Sequence, residues 1–234
     1  DRANGQRLHQ EDFAQALGIR PGNKYEPGND VPSRLARIAA GPATESLDPA
    51  GFRRALLQLV TFNVIVGNGD AHAKNYSLLL TDGLFSLAPA YDVAPVFYVS
   101  NRYSNFGMQL AGQRNLKYLS AAHLVEEATR WGIDEPTARQ VVDDTARAVH
   151  FALDDVPGDS LPARVAHSTR KRAAGLGAAA VGRYFVIPVQ SQPARQLLGD
   201  PGIGARLART GDGLAPELHG AVGVGDAAGL PGPG

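Results

Sequence analysis

Between Asp70 and Asn75 the sequence Asp-Ala-His-Ala-Lys-Asn gathers a carboxylate, an imidazole, an amine and an amide within six residues. A second carboxylate, Asp92, follows in Ala-Pro-Ala-Tyr-Asp-Val-Ala-Pro. Asp70 and Asn75 stand in the spacing D-x-x-x-x-N. In a loop, that spacing lets an Asp orient and deprotonate an acceptor hydroxyl while the Asn holds one Mg²⁺. A further Asp, returned by later structure, holds Mg²⁺ against the nucleotide phosphates. The chemistry expected is phosphoryl transfer of the protein-kinase type, with ATP and Mg²⁺ as cofactors. The pair alone is a weak signal, because a Gly-Asn-Gly-Asp turn with a capping Asp is common. His72 reads as a residue that orients the loop; it has no second His nearby in sequence, so no metal site is built on it. Lys74 supplies a cation where a loop must gather phosphate charge. Asn68 and Asp82 are assigned to turns.

The elements on either side strengthen the pair. Asp48 is a candidate N-cap with Pro49 at the first helical position, and FRRALLQLVTFNVIVGN stays apolar for several turns. Phe52, Leu56, Leu59, Phe62, Asn63 and Val66 recur at helical spacing, while Val60, Val64 and Ile65 occupy other faces, so the helix is expected to be buried on most sides. It stops at Gly67-Asn68-Gly69. YSLLL and LFSLAPAYDV then read as two strands joined at Thr81-Asp82-Gly83. This hairpin brings Asp92 back to face Asp70 and Asn75. Earlier in the chain, LHQEDFAQALG places Leu8, Phe13 and Leu17 near one helical face and closes on Gly18. IRPGNKYEPGNDVPS is a loop, followed by a short helical piece around Leu35 to Ala39. Later, NFGMQL reads as a strand or extended segment. Ser120 and Gly132 bracket one helix, and Asp134 starts another that carries Val141, Val142, Ala148, Val149 and Leu153. The fold class expected is α+β, mainly helical, with a small β-hairpin beside the loop. Around the NFGMQL segment, Arg102, Arg114 and Lys117 with Tyr103, Phe106 and Tyr118 read as a solvated rim with packed aromatics.

The composition narrows the alternatives. The 234 residues carry 23 Lys plus Arg and 23 Asp plus Glu, so no global field draws the chain to nucleic acid or anionic lipid. The absence of Cys excludes disulfides, thiolate metal sites and Cys nucleophiles. No apolar run approaches the ~20 residues of a membrane span and the first residues lack a signal-peptide core, so a soluble, cytoplasmic chain is expected. G-x-S-x-G, H-E-x-x-H and G-x-G-x-x-G are absent. From 199 to 234, eleven of 36 residues are Gly and four are Pro, without an aromatic. Such a segment buries too little to offset its backbone entropy and is expected to be disordered.

LHQEDFAQALG, NKYE, FNVIVGNGDAHAKNYSLLL and LAPAYDVAP, in this order, resemble the C-terminal part of HipA-type serine/threonine kinases, the toxin halves of bacterial toxin–antitoxin pairs. The D-x-H-x-K-N loop followed by Tyr-Asp is a specific marker. The resemblance covers roughly residues 1 to 155 and fades through Arg183, which gives a kinase-like C-terminal lobe over 1–186 and a tail over 187–234. It implies Asp70 as the catalytic base, Asn75 and Asp92 as the metal- and nucleotide-binding pair, and His72 and Lys74 as supporting loop residues. It also implies transfer of the ATP γ-phosphate to a Ser or Thr of a protein, an aminoacyl-tRNA synthetase being the target in HipA proper. The implied inhibitory partner is a small DNA-binding antitoxin, and no direct contact with nucleic acid is expected. Family members carry an N-terminal lobe with a phosphate-covering loop and a phosphate-gripping lysine, and this sequence begins after that point. Two further readings remain open: a non-catalytic kinase remnant that binds an antitoxin or other partner, and a small-molecule phosphotransferase with the same loop.

Overall fold

The computed structural model describes residues 2–3, 6–28, 31–100, 103–156 and 163–177. Two short strands open the chain, β1 (Arg2–Ala3) and β2 (Gln6–Arg7), paired antiparallel. Then follow β3 (His9–Asp12), α1 (Phe13–Ala16), α2 (Arg34–Ala40) and the long α3 (Pro49–Val66). The hairpin is β4 (Ser77–Thr81) and β5 (Leu84–Leu87). After α4 (Val96–Val99) come β6 (Asn105–Leu110) and β7 (Gln113–Asn115), and the rest is helical: α5 (Ala121–Arg130), α6 (Glu135–Ala152) and α7 (Ala163–Leu176). The tail expected over 187–234 lies outside the described residues. Among the described residues, no helix is long and apolar enough to cross a membrane.

The start of α3 follows the sequence: Asp48 Oδ1 accepts the Gly51 N–H at 2.8 Å and Pro49 stands at the first helical position. Its burial differs in detail from the expected stripe. Leu56, Leu57, Val60, Val64 and Ile65 are wholly buried, whereas Leu59, Phe62 and Val66 are only partly covered. The cause is packing on several sides, since α3 lies against both α6 and α7 and touches α5. α5 and α6 begin at the expected caps, Ser120 and Asp134. The carboxylate of Asp134 accepts the Thr137 N–H at 2.9 Å, and this hydrogen bond holds its pKa below the usual range. One apolar cluster joins these helices to Phe13, Tyr76, Leu78, Phe106, Met108 and Leu116. Each such side chain stabilises the fold by about 1.5–3 kcal/mol relative to an exposed one.

The hairpin also forms, but its second strand stops at Leu87 and does not run on through Ala-Pro-Ala-Tyr-Asp-Val, where Pro89 lacks an N–H for a ladder. Thr81 pairs with Leu84, and Asp82 and Gly83 both take positive φ, 52° and 79°. That is the requirement of a two-residue turn whose twist matches its strands. One further expectation is corrected. LHQEDFAQALG is not a single helix: His9–Asp12 is a strand on the outer edge of β4, and the helix is confined to Phe13–Ala16. The switch occurs at Asp12, whose carboxylate accepts the Gln15 N–H at 2.8 Å while the Gln15 side chain accepts the Asp12 N–H. This capping box starts the helix after Asp12, and the residues before it are left to pair with β4. Gly18, at φ 64°, ends the turn as anticipated.

Around β6 and β7 the rim is less solvated than expected. Phe106 is buried and Tyr118 exposed, but Arg114 is half-buried, and its Nε donates to the Phe106 carbonyl at 3.2 Å. Arg102 lies outside the described residues.

Candidate active site

α3 ends at Gly67, in the left-handed conformation at φ 72°. A Cβ there would stand 2.8 Å from the Tyr98 ring, so both the turn and the packing demand glycine. The next residue ties the turn down. Asn68 Nδ2 donates to Asn63 Oδ1 at 2.8 Å, inside α3, and to the Asp92 carbonyl at 3.3 Å. Asn68 therefore does more than the turn assigned to it, because it joins the end of the helix to the backbone of the second carboxylate. Within the loop, His72 N–H donates to the Asp70 carbonyl at 2.7 Å, and His72 caps a short 3₁₀ turn over Ala73–Asn75. The His72 Nδ1 accepts the Lys74 N–H at 3.3 Å, which places a ring proton on Nε2 in neutral imidazole. Burial, and after it Lys24, lowers the His72 pKa, which disfavours the charged ring. The imidazole thus bonds the backbone of its own loop.

Two segments clamp this loop from outside. The Ala73 N–H donates to the Lys24 carbonyl at 3.3 Å, and the Glu26 N–H donates to the Gly107 carbonyl on β6 at 2.9 Å. A Cβ on Gly107 would come within 2.4 Å of the Ala71 carbonyl oxygen and 2.6 Å of the His72 Cα. Both are backbone and cannot swing aside. Gly107→Ala is therefore expected to push the loop off β6, with a loss of about 1–3 kcal/mol in urea unfolding.

Glu26 is wholly buried and anchors the clamp. Its Oε1 accepts the Arg34 N–H at 2.9 Å and Gln109 Nε2 at 3.1 Å, and its Oε2 accepts the Gln109 N–H at 2.9 Å. Desolvation nevertheless outweighs these donors and raises its pKa above the ordinary 4.5. A carboxyl whose pKa is raised on folding contributes stability that is full below 4.5 and is lost as pH rises through the folded value. Unfolding free energy measured from pH 4 upward should thus decline more steeply in the wild type than in Glu26→Gln; parallel curves would show that Glu26 does not carry this linkage.

The hairpin delivers Asp92 as the sequence suggested. Tyr91 Oη donates to the Lys74 carbonyl at 2.7 Å and shares a hydrogen bond with Ser77 Oγ at 2.6 Å, fixing the segment after β5 to the loop. Asp92 itself takes φ 54°, an uncommon value for a residue other than glycine and one for which Asp and Asn are favoured. Its Oδ2 accepts a hydrogen bond from Asn75 Nδ2. Asp70 is bonded by the Tyr25 hydroxyl through Oδ1. Both carboxylates raise the His72 pKa against burial, so the ring feels them together. Asp70, His72, Asn75 and Asp92 thus share one locale, and the Lys74 side chain is exposed at its edge.

The residues fit a hard divalent cation. Asn75 is buried, and its Oδ1 has no hydrogen-bond partner among the described residues. A buried amide oxygen left unpaired is costly, and it is the kind of donor that Mg²⁺ takes beside a carboxylate. Asp92 supplies that carboxylate. No group of three or more His, Cys, Asp or Glu suited to a metal occurs among the described residues; Mg²⁺ ordinarily keeps several waters and takes one or two carboxylates with substrate phosphates.

Sequence reasoning missed Tyr25, Glu26, Asn63 and Tyr91 as parts of this region. For Asn63 a signal was available: an amide in an otherwise apolar helical run, five residues before Asn68. Tyr25 and Glu26 lay in NKYE, which carried part of the resemblance, but in a segment read as a loop and without a role of their own.

The helical bundle, the loop at the end of its central helix and the hairpin that returns a second carboxylate define a kinase-like C-terminal lobe. The same fold occurs in a structure of the Shewanella oneidensis toxin–antitoxin system of HipA, HipB and operator DNA, with a TM-score of 0.62 and 24% sequence identity, covering 75% of this chain and 46% of that one. The chain belongs to the HipA-like C-terminal domain family, whose model matches residues 1–153. This span agrees with the extent of the resemblance read from sequence. Among relatives, Y4mE of Sinorhizobium fredii, provisionally named a kinase, is 36% identical over 158 residues, which are 64% of this chain and 36% of Y4mE. The serine/threonine-protein kinase toxin HipA of Shewanella oneidensis is 35% identical over 117 residues, 45% of this chain and 25% of that protein. The chain thus spans about a third or less of the length of these curated relatives.

Proposed function

We propose that this chain carries the catalytic loop and metal pair of a HipA-like serine/threonine protein kinase that transfers the γ-phosphoryl group of ATP to a protein hydroxyl. The observation that carries the reading is the contact between Asn75 and Asp92, with the Asn75 Oδ1 buried and unpaired among the described residues. In this reading Asp70 orients the Ser or Thr hydroxyl and accepts its proton as the oxygen attacks the γ-phosphorus and ADP leaves. Asn75 and Asp92 hold Mg²⁺, which when bound neutralises phosphate charge as it builds up in transfer. His72 keeps the loop in register, and the exposed Lys74 adds positive charge at the edge. The neighbour in the HipA–HipB–DNA complex and the HipA toxin relative support a small DNA-binding antitoxin as partner, and the relative's name as a serine/threonine-protein kinase supports a protein as substrate. An aminoacyl-tRNA synthetase is the first substrate to try.

The test is transfer of labelled γ-phosphate from Mg-ATP to the chain itself and to proteins of a bacterial lysate, comparing residues 1–234 with Asp70→Asn. Label that depends on Asp70 supports the reading. A folded chain that gives no label but binds an antitoxin favours the partner-binding alternative.

A further inference from the structure

Tyr25 stands in the loop before α2, apart in sequence from every residue assigned to the site, and yet its hydroxyl bonds the carboxylate of Asp70. The residue is mounted firmly. On one side, the Lys24 carbonyl accepts the Ala73 N–H at 3.3 Å and Arg34 Nη1 at 2.9 Å. On the other, Glu26 is buried and held by Arg34, Gln109 and the Gly107 carbonyl. Between these two anchors the Tyr25 ring packs edge-on against His72, with centroids 5.1 Å apart, and the Lys24 ammonium lies 5.1 Å from the centre of its ring. The ring remains 40% exposed, so it stands at the mouth of the site.

We infer that Tyr25 is a positioning residue for phosphoryl transfer: its hydroxyl holds Oδ1 of Asp70 and so turns Oδ2 toward the acceptor hydroxyl. The inference rests on the reading of Asp70 as the base. A carboxylate on a loop rotates about its side-chain torsions, and a base that samples several orientations loses much of the advantage of proximity. A rigidly mounted donor to one oxygen removes that freedom, and a hydrogen bond to a charged group is stronger than one between neutral partners. Tyr25 suits the task because it stays protonated. Burial first, and then the bond to Asp70, push its pKa up to about 12, so it donates throughout the working pH range.

The test compares the wild type with Tyr25→Phe, Asp70→Asn and the double variant, all in the full chain. Phenylalanine keeps the ring against His72 and removes only the hydroxyl. The expected result is a fall in kcat of about 10-fold or more, with the KM for ATP little changed, and no further effect of Tyr25→Phe in the Asp70→Asn background. A general weakening of the fold would instead change KM and the unfolding midpoint together. Wild-type kcat in Tyr25→Phe, beside an inactive Asp70→Asn, overturns the positioning role and leaves the site reading standing. An active Asp70→Asn overturns the site reading itself. A readout independent of turnover is the ¹³Cγ resonance of Asp70 at neutral pH. It is expected to move in Tyr25→Phe, and an unmoved resonance overturns the contact.

Discussion

Asp70→Asn should fold as the wild type does and transfer phosphate at least about 10³-fold more slowly, the upper part of the range for loss of a general base. The substitution exchanges one carboxylate oxygen for an amide nitrogen and leaves the other able to accept the Tyr25 hydroxyl. The backbone supports of the loop, from His72 N–H to the Asp70 carbonyl and from Asn75 N–H to the His72 carbonyl, do not involve the altered atoms. Urea unfolding of the two proteins should therefore agree within about 0.5 kcal/mol, as for substitutions that break no named interaction, while single-turnover transfer from Mg-ATP separates them. A variant as active as the wild type would reject Asp70 as the base.

Asp92→Asn is expected to be the second large effect, and on a different quantity. Asparagine tolerates the left-handed backbone at φ 54° as aspartate does, so the turn is kept. What is lost is the charge beside Asn75. Mg²⁺-dependent affinity for a non-hydrolysable ATP analogue should fall by at least about 10-fold, a loss seen even when residues behind a metal ligand are changed. Binding without Mg²⁺ should be nearly unaffected. Titration calorimetry with and without the cation separates the two contributions, and equal affinities in wild type and variant would make Asp92 a structural residue. Asp92→Ala is the less informative substitution, because a non-glycine residue of poor left-handed preference adds about 1 kcal/mol or more of backbone strain.

The parts of the fold that were legible in the sequence are those written in local code. Asp48-Pro49, Ser120 and Asp134 mark helix starts by capping, and Asp82-Gly83 marks a two-residue turn by its need for positive φ. That Asn75 and Asp92 would come together was legible because the spacing and the intervening hairpin agreed. The strand at His9–Asp12 was not, because its partner β4 lies far along the chain and nothing local distinguishes it from the helix it adjoins. The same holds for the carboxylates of Glu26 and Glu127. Both are wholly buried, and Glu127 serves Ser33, the Ala111 N–H at 2.8 Å and the Trp131 indole at 3.1 Å, so their worth depends on donors from distant segments. A glutamate in a loop or on a helix otherwise reads as a solvated charge.

The bridge from Asn68 to the Asp92 carbonyl, together with the Asn75–Asp92 contact, closes the chain on itself around the hairpin. The spacing of Asn75 and Asp92 is consequently gauged at the base of this closed circuit and not by the length of the arms above it. Ala88 N–H bonds the Ser77 carbonyl at 2.8 Å at that base, while the tip at Asp82-Gly83 only reverses direction. Residues added at the tip lengthen the arms without moving the base, at a closure cost that grows only slowly with length. The hairpin tip is thus where this lobe has room to vary: evolution or an engineer can graft a tag, a recognition segment or a longer reach there while the Asn75–Asp92 contact keeps its dimensions.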